Sequence, residues 1–189
     1  MSLREKLNYR NAARKYRMEA AQWVLAHPET FRELLEISLA NEKDLSHKAN
    51  WALEFVCLEE LVLLYPHLDL FFDKIASVEG DSSVRPISHI AELLALQYYK
   101  KKDAKLRELL SKKHKEQLTE CCFDWLISQQ KVACQVRAMT CLYYLGTEFD
   151  WIHPELKIIL EQNMHKGSAG YCSRGKKTLE LIKKRQKKQ

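Results

Sequence analysis

The sequence predicts an all-α fold: a stack of about four helix pairs behind an N-terminal capping helix. Three observations carry this. Apolar residues recur with a period near 3.6, and no stretch alternates in the manner of a strand. Only 5 Gly and 4 Pro occur in 189 residues, which suits long helices over tight turns. Most telling, one unit is written four times: a proline or equivalent helix start, an apolar helix, a short polar loop, a basic residue and a second apolar helix. Three copies start at Pro28, Pro66 and Pro154, and their basic residues Lys48, Arg85 and Arg174 follow 20, 19 and 20 positions later. The fourth copy starts near Gln117 and reaches Arg137 after 20 positions.

The elements follow in order. Residues 1–27 form the cap, a helix over Tyr9–Ala26 with Ala13, Tyr16, Ala20, Trp23 and Val24 on one face and Arg10, Arg14, Lys15 and Arg17 on the polar face that a terminal repeat needs. Residues 28–99 hold repeats one and two. Repeat one pairs Pro28–Ala40, where Pro28 suits a first helical turn, with Ser46–Tyr65. Repeat two pairs Pro66–Ala76 with Val84–Tyr99 across the turn-forming loop Glu79-Gly80-Asp81-Ser82-Ser83. Residues 100–114 are a basic insertion with room for a short helix over Ala104–Leu110. Residues 115–184 hold repeats three and four: Glu116–Ser128 with Cys134–Leu145, capped by Gly146, and Pro154–Met164 with Tyr171–Lys184. Residues 185–189 are expected to fray. A two-helix unit of about 35 residues is a solenoid period, because one pair alone cannot bury its apolar face. The expected core is Leu34, Leu35, Ile37, Trp51, Leu53, Phe55, Val56, Leu61, Phe71, Phe72, Ile90, Leu93, Leu94, Phe123, Leu126, Met139, Leu142, Ile158 and Ile159.

The net charge of +6 is unevenly spread. Residues 1–19 carry +4, residues 100–115 carry +6 and residues 174–189 carry +7, leaving −11 on the rest. Such segments are either solvated helix faces or a surface for a polyanion. With 46% apolar residues the composition excludes a disordered chain. No apolar run reaches a membrane span, and no signal peptide is legible, so a cytoplasmic location is expected. The six cysteines lack CxxC or zinc-finger spacing and read as structural thiols, Cys172 in a loop and the others in helices. His27 and His153 directly precede prolines and read as helix-start residues. No triad, glycine-rich phosphate loop or HExxH occurs, so neither a metal nor a cofactor is expected.

Lys48, Arg85, Arg137 and Arg174 are placed near the starts of the second helices, where the helix dipole disfavours a cation. Two accounts stay open. In one, loop acids form a ladder with them; Asp44 and Asp81 stand four residues before Lys48 and Arg85, but Ala133 and Gly170 hold the equivalent positions elsewhere. In the other, the row of cations meets a phosphate backbone or an acidic peptide. Lys100, Lys101 and Lys102, following Tyr98 and Tyr99, add aromatics beside cations as in single-strand binders.

The stretches Ser83-Val84-Arg85-Pro86 and Gln135-Val136-Arg137-Ala138 resemble HEAT repeats, over about Pro28 to Lys184. The resemblance implies a right-handed α-α superhelix that binds a partner. His47-Lys48-Ala49-Asn50-Trp51-Ala52-Leu53-Glu54-Phe55-Val56-Cys57 and Glu148-Phe149-Asp150-Trp151-Ile152-His153-Pro154-Glu155-Leu156-Lys157 are similar to a group of small all-helical bacterial proteins labelled adenylosuccinate lyase. The lyase signature loop, Ser-Ser-x-Met-Pro-x-Lys-x-Asn, has its nearest counterpart in Ser82–Ile90, where Arg85, Ser88 and Ile90 replace the Met, Lys and Asn. Trp51, Trp125 and Trp151, two of them beside Asp124 and Asp150, are the residue types used by HEAT-like DNA glycosylases of the alkylation-repair type. The leading expectation is a non-enzymatic scaffold for a protein partner. The alternatives are nucleic-acid binding, with or without base-repair activity, through the basic residues, and lyase activity. The oligomeric state is left open.

Overall fold

The computed structural model describes residues 2–11 and 13–187. Helix is the only regular secondary structure among them. No helix among the described residues is long and apolar enough to cross a membrane.

The cap begins earlier than expected and is broken. A short helix, α1 (Leu3–Leu7), carries a capping box in which Ser2 and Glu5 satisfy each other's backbone N–H groups. It buries Leu3 and Leu7 and is tied down by a bidentate Arg4–Glu42 pair at 3.0 Å. The main cap helix, α2, is Arg14–Ala26. Its buried stripe is Ala20, Ala21 and Val24; Tyr16 and Ala13, expected on that face, are exposed, and Trp23 is half-buried.

In the first expected helix pair a 3-10 turn at Pro28–Thr30 leads into α3 (Phe31–Leu39), and α4 (Ser46–Glu59) follows. The α3–α4 connection holds Asn41 and Asp44 at positive φ. Asn41 clamps the next loop: its amide donates to the Ser77 carbonyl at 2.6 Å and its oxygen accepts from the Glu79 N–H at 3.1 Å. The second expected pair begins with a 3-10 segment, Leu61–His67, that contains Pro66, so α5 starts only at Leu68 and runs to Lys74. Gly80, at φ +80, turns the chain into α6 (Asp81–Ala95); the left-handed conformation there favours glycine. A π-helical turn, Leu96–Lys101, extends α6 and closes on Lys102 in the left-handed region.

The basic insertion is ordered. α7 (Ala104–Leu109) is capped by Asp103 and plugs Leu106 and Leu110 into the core. α8 starts at Lys112, ahead of the expected Glu116, because Ser111 and His114 form a capping box, and it runs to Ile127. His114 accepts the Ser111 N–H on Nδ1, so its Nε2–H donates to Asp69 at 2.7 Å. α9 (Val132–Leu145), α10 (Ile152–Asn163) and α11 (Ala169–Gln186) complete the chain.

Gly146 caps α9 without a positive φ. Its missing side chain matters for another reason: a Cβ there would collide with the His153 ring. That ring is buried, stacks on Tyr143 and bonds the Tyr143 carbonyl at 2.8 Å. Cys172 is within α11, not in a loop, and its thiol donates to the Met164 carbonyl. The expected frayed tail is helical to Gln186, where Arg185 donates to the Thr147 carbonyl; Lys188 and Gln189 lie outside the described residues.

The helices pack in two rows. One row runs α2, α4, α6, α9, α11, each on the next; α3, α5, α8 and α10 lie behind it, α3 touching α5, α5 touching α8, and α8 and α10 both packing on α9. The core fills the space between the rows with Leu34, Leu35, Leu53, Val56, Phe71, Ile87, Ile90, Leu94, Met139 and Leu142. Ile158 is 47% exposed, contrary to expectation, and Trp51, Phe55, Leu61, Leu93, Phe123 and Ile159 are half-buried.

Candidate anion-binding face

The four basic residues all lie in the first row, on α4, α6, α9 and α11. Only Lys48 is in a first helical turn; Arg85, Arg137 and Arg174 are the fifth or sixth residues of their helices, past the reach of the terminal dipole. The dipole conflict expected from the sequence therefore applies to Lys48 alone. Lys48 answers it with an aromatic: Nζ lies 5.4 Å over the Tyr9 ring, whose hydroxyl donates to the Lys48 carbonyl at 2.9 Å.

The acids that compensate the arginines come from the preceding first-row helix, not from the loops. Glu54 of α4 takes a fork from Arg85 of α6, at 3.1 and 3.4 Å, and a bond from His89 Nδ1–H at 2.8 Å. Glu54 also lies 3.8 Å from Arg137 of α9, and Glu92 of α6 lies 3.8 Å from the same guanidinium. Arg137 donates to the Arg85 carbonyl at 2.6 Å, locking α9 to α6. Burial would raise the Glu54 pKa, but the His89 hydrogen bond and the Arg85 and Arg137 charges outweigh it and hold the carboxyl below its usual range. Of the loop acids, Asp81 pairs with Lys131 at 3.3 Å, and Asp44 makes no ion pair within 4.0 Å among the described residues.

The register repeats. Glu54 stands six residues after Lys48, and Glu92 seven after Arg85; each meets the basic residue of the next helix. Six and seven residues after Arg137 stand Tyr143 and Tyr144. The rung that should receive Arg174 therefore has no acid. Arg174 is held instead by one hydrogen bond to Thr140 Oγ1 at 2.9 Å, and Thr140 donates onward to the Val136 carbonyl. No carboxylate lies within 4.0 Å of Arg174 among the described residues. Arg174 lines a groove of about 290 Å³ with Lys100, Lys177, Glu92, Tyr143 and Tyr144.

The other end of the row is also cationic. The Arg17 guanidinium lies 5.3 Å from the Trp51 ring and 5.9 Å from Phe55, and Arg14 lies 5.5 Å from Phe55. Such contacts leave the charge uncancelled while fixing its position.

The lysine run is divided. Lys100 lines the Arg174 groove, Lys101 lines a separate one beside Leu58 and Val62, and Lys102 is spent as the left-handed cap. The tyrosines before it face inward: Tyr99 stacks on Tyr144 and donates to Glu148, while Tyr98 sits 4.8 Å from buried Lys115 Nζ. Burial opposes the charge on Lys115, but hydrogen bonds to Glu148 and Tyr98 outweigh it and its pKa is raised.

The three tryptophans are not brought together. Trp51 is on the first-row face, Trp125 is buried in the core, and Trp151 is exposed on the second row against Phe123. The lyase-like stretch Ser82–Ile90 is part of α6, with Ser83, Val84, Ile87 and Ile90 buried, so it is not a loop. All six cysteines are free thiols; burial pushes the thiols of Cys57, Cys121, Cys122 and Cys134 up, that of Cys134 to about 12, which keeps these four unreactive. No group of three or more His, Cys, Asp or Glu among the described residues is arranged to hold a metal.

Glu54, His89, Glu92, Lys177 and the two tyrosines are not among the site residues that the sequence suggests. For Glu54 and Glu92 a signal is present: an acid six or seven residues after one basic residue, which meets the basic residue of the next first-row helix. No family model, curated protein or solved structure matches this chain.

Proposed function

We propose that the two rows form a right-handed solenoid of four HEAT-like helix pairs behind the α1–α2 cap, and that its first-row face binds single-stranded nucleic acid without catalysing a reaction. The observation that carries this reading is the open rung. Arg85 and Arg137 are neutralised by Glu54 and Glu92, whereas Arg174 has tyrosines where its acid would stand. The contrast is hard to account for by stability, since the buried rungs show how this fold satisfies an arginine at that position. Arg14, Arg17 and Lys48 at one end, and Lys100, Arg174 and Lys177 at the other, offer cations beside aromatic rings, the combination that tracks a single-stranded backbone and stacks its bases.

The test is fluorescence anisotropy of a labelled single-stranded oligonucleotide over a salt series. If all six cations meet phosphates, the log–log slope is about −4, from roughly 0.7 per contact. Absence of binding at about 50 mM salt, where such contacts are strongest, overturns the reading.

A second reading, a scaffold for a protein partner, is favoured by the second row. Ile127, Trp151 and Ile158 are 63%, 55% and 47% exposed, and Trp151 stacks on Phe123. Apolar side chains exposed to this extent on one row offer a surface to a protein partner. Failure of a Trp151→Ser, Ile158→Ser double variant to change recovery of any stoichiometric protein partner removes this reading.

A further inference from the structure

The groove at the open rung has a composition narrower than a backbone track requires. It lies between the π-helical turn after α6, α9 and α11. Its cations, Arg174, Lys177 and Lys100, come from two different elements, and its aromatic wall, Tyr143 and Tyr144, from a third. Both parts are preset. Thr140 fixes the Arg174 guanidinium, and Tyr144 is held by stacking on Tyr99 with ring centres 6.0 Å apart and planes 14° from parallel. Glu92 adds one carboxylate acceptor to the same lining. The π-helical turn places Lys100 at the rim; such turns interrupt α-helices mostly at functional sites.

The volume of about 290 Å³ is at the small end of ligand pockets. That size suits a single nucleotide unit better than a longer stretch of strand. Three cations suit a phosphomonoester, which carries more charge than a backbone diester. The tyrosines suit a base, and Glu92 can accept from a ribose hydroxyl or an exocyclic amine.

Resting on the reading of the first-row face as a nucleic-acid surface, we infer that this groove is a pocket for one nucleoside 5′-monophosphate unit, its phosphate on Arg174, Lys177 and Lys100 and its base against Tyr143 and Tyr144. The unit is either a free nucleotide or the phosphorylated 5′ end of a strand.

The full chain is titrated by calorimetry with adenosine 5′-monophosphate, ribose 5-phosphate and inorganic phosphate. The nucleotide is expected to bind one to one and about tenfold tighter than the other two, a gain within the range of base–aromatic stacking. Arg174→Gln, which removes one half-exposed side chain, is expected to weaken it about tenfold with unchanged circular dichroism. Tyr144→Leu is expected to reduce the nucleotide to the affinity of ribose 5-phosphate while leaving inorganic phosphate unchanged. In the anisotropy assay, a 5′-phosphorylated oligonucleotide binding about fivefold tighter than its 5′-hydroxyl counterpart assigns the pocket to a strand end. Equal affinities, with calorimetric binding retained, assign it to the free nucleotide. A nucleotide no tighter than inorganic phosphate, or an Arg174→Gln variant that binds as wild type, overturns the pocket even where the oligonucleotide still binds. Nucleotide binding without oligonucleotide binding leaves the pocket standing and removes the single-strand reading.

Discussion

The α4–α6–α9 segment and the α9–α11 segment of the first row use the same arginine position in opposite ways. In the former, Glu54 and Glu92 reach forward to the arginines of following helices, and Glu54, only 6% exposed, serves Arg85, His89 and Arg137 together. In the latter the forward-reaching residues are Tyr143 and Tyr144, and Arg174 has no carboxylate within 4.0 Å among the described residues and bonds Thr140 instead. An ion-paired arginine and one with no carboxylate partner thus occupy equivalent positions, and the residue six or seven positions after the preceding basic residue decides which is which.

The largest expected effect comes from breaking the closed rung. Glu54→Gln leaves Arg85 and Arg137, which already repel one another, without their shared counter-charge. Removing one partner of a buried pair costs about 3–5 kcal/mol; because Arg85 is 36% exposed, solvent reduces this to about 2–3 kcal/mol. Urea denaturation measures it, and a loss below about 0.5 kcal/mol, the ordinary surface range, would show that the network is not a structural rung. Next in size, Tyr144→Glu supplies the missing acid and closes the open rung. Oligonucleotide affinity is expected to fall at least tenfold, about 1.4 kcal/mol, as read by anisotropy. Unchanged affinity would mean that Arg174 is not the ligand's contact.

Arg174→Gln is expected to weaken binding by about fivefold to tenfold and to lower the salt slope by about one contact, as loss of a phosphate cation should, with stability within about 0.5 kcal/mol. The smallest effect is with pH. The Glu54 carboxyl is held below its usual range, so its contribution is complete above the unfolded value near pH 4.3 and is lost as pH falls through the depressed one. Wild-type stability is expected to fall more steeply between about pH 5 and 3 than that of Glu54→Gln. Parallel curves would assign the acid sensitivity elsewhere.

Much of the fold was legible because helices announce themselves through local period and caps. The second helices α4, α6, α9 and α11 start within three residues of their expected positions. What was not legible depended on contacts distant in sequence. Tyr16 and Ile158 satisfy a helical period yet have no neighbour to cover them. Gly146 reads as a cap, but its constraint is the ring of His153. Lys100, Lys101 and Lys102 read as one basic run, and only the π-helical turn shows that they separate. The expected ladder draws its acids from loops, Asp44 and Asp81 among them; the acids that meet the arginines lie on preceding first-row helices, 31 residues before Arg85 in the case of Glu54. The aromatic platform of Trp51 and Phe55 read as core because nothing local shows that Arg14 and Arg17 cover it.

The most direct measurement compares Arg85→Gln and Arg174→Gln side by side in the oligonucleotide salt series, with folding of each verified by circular dichroism. Arg174→Gln should lose about one contact from the slope and about fivefold to tenfold in affinity, while folded Arg85→Gln should bind within about twofold of wild type. Equal losses from the two variants, or none from Arg174→Gln, would contradict the distinction between the closed and open rungs.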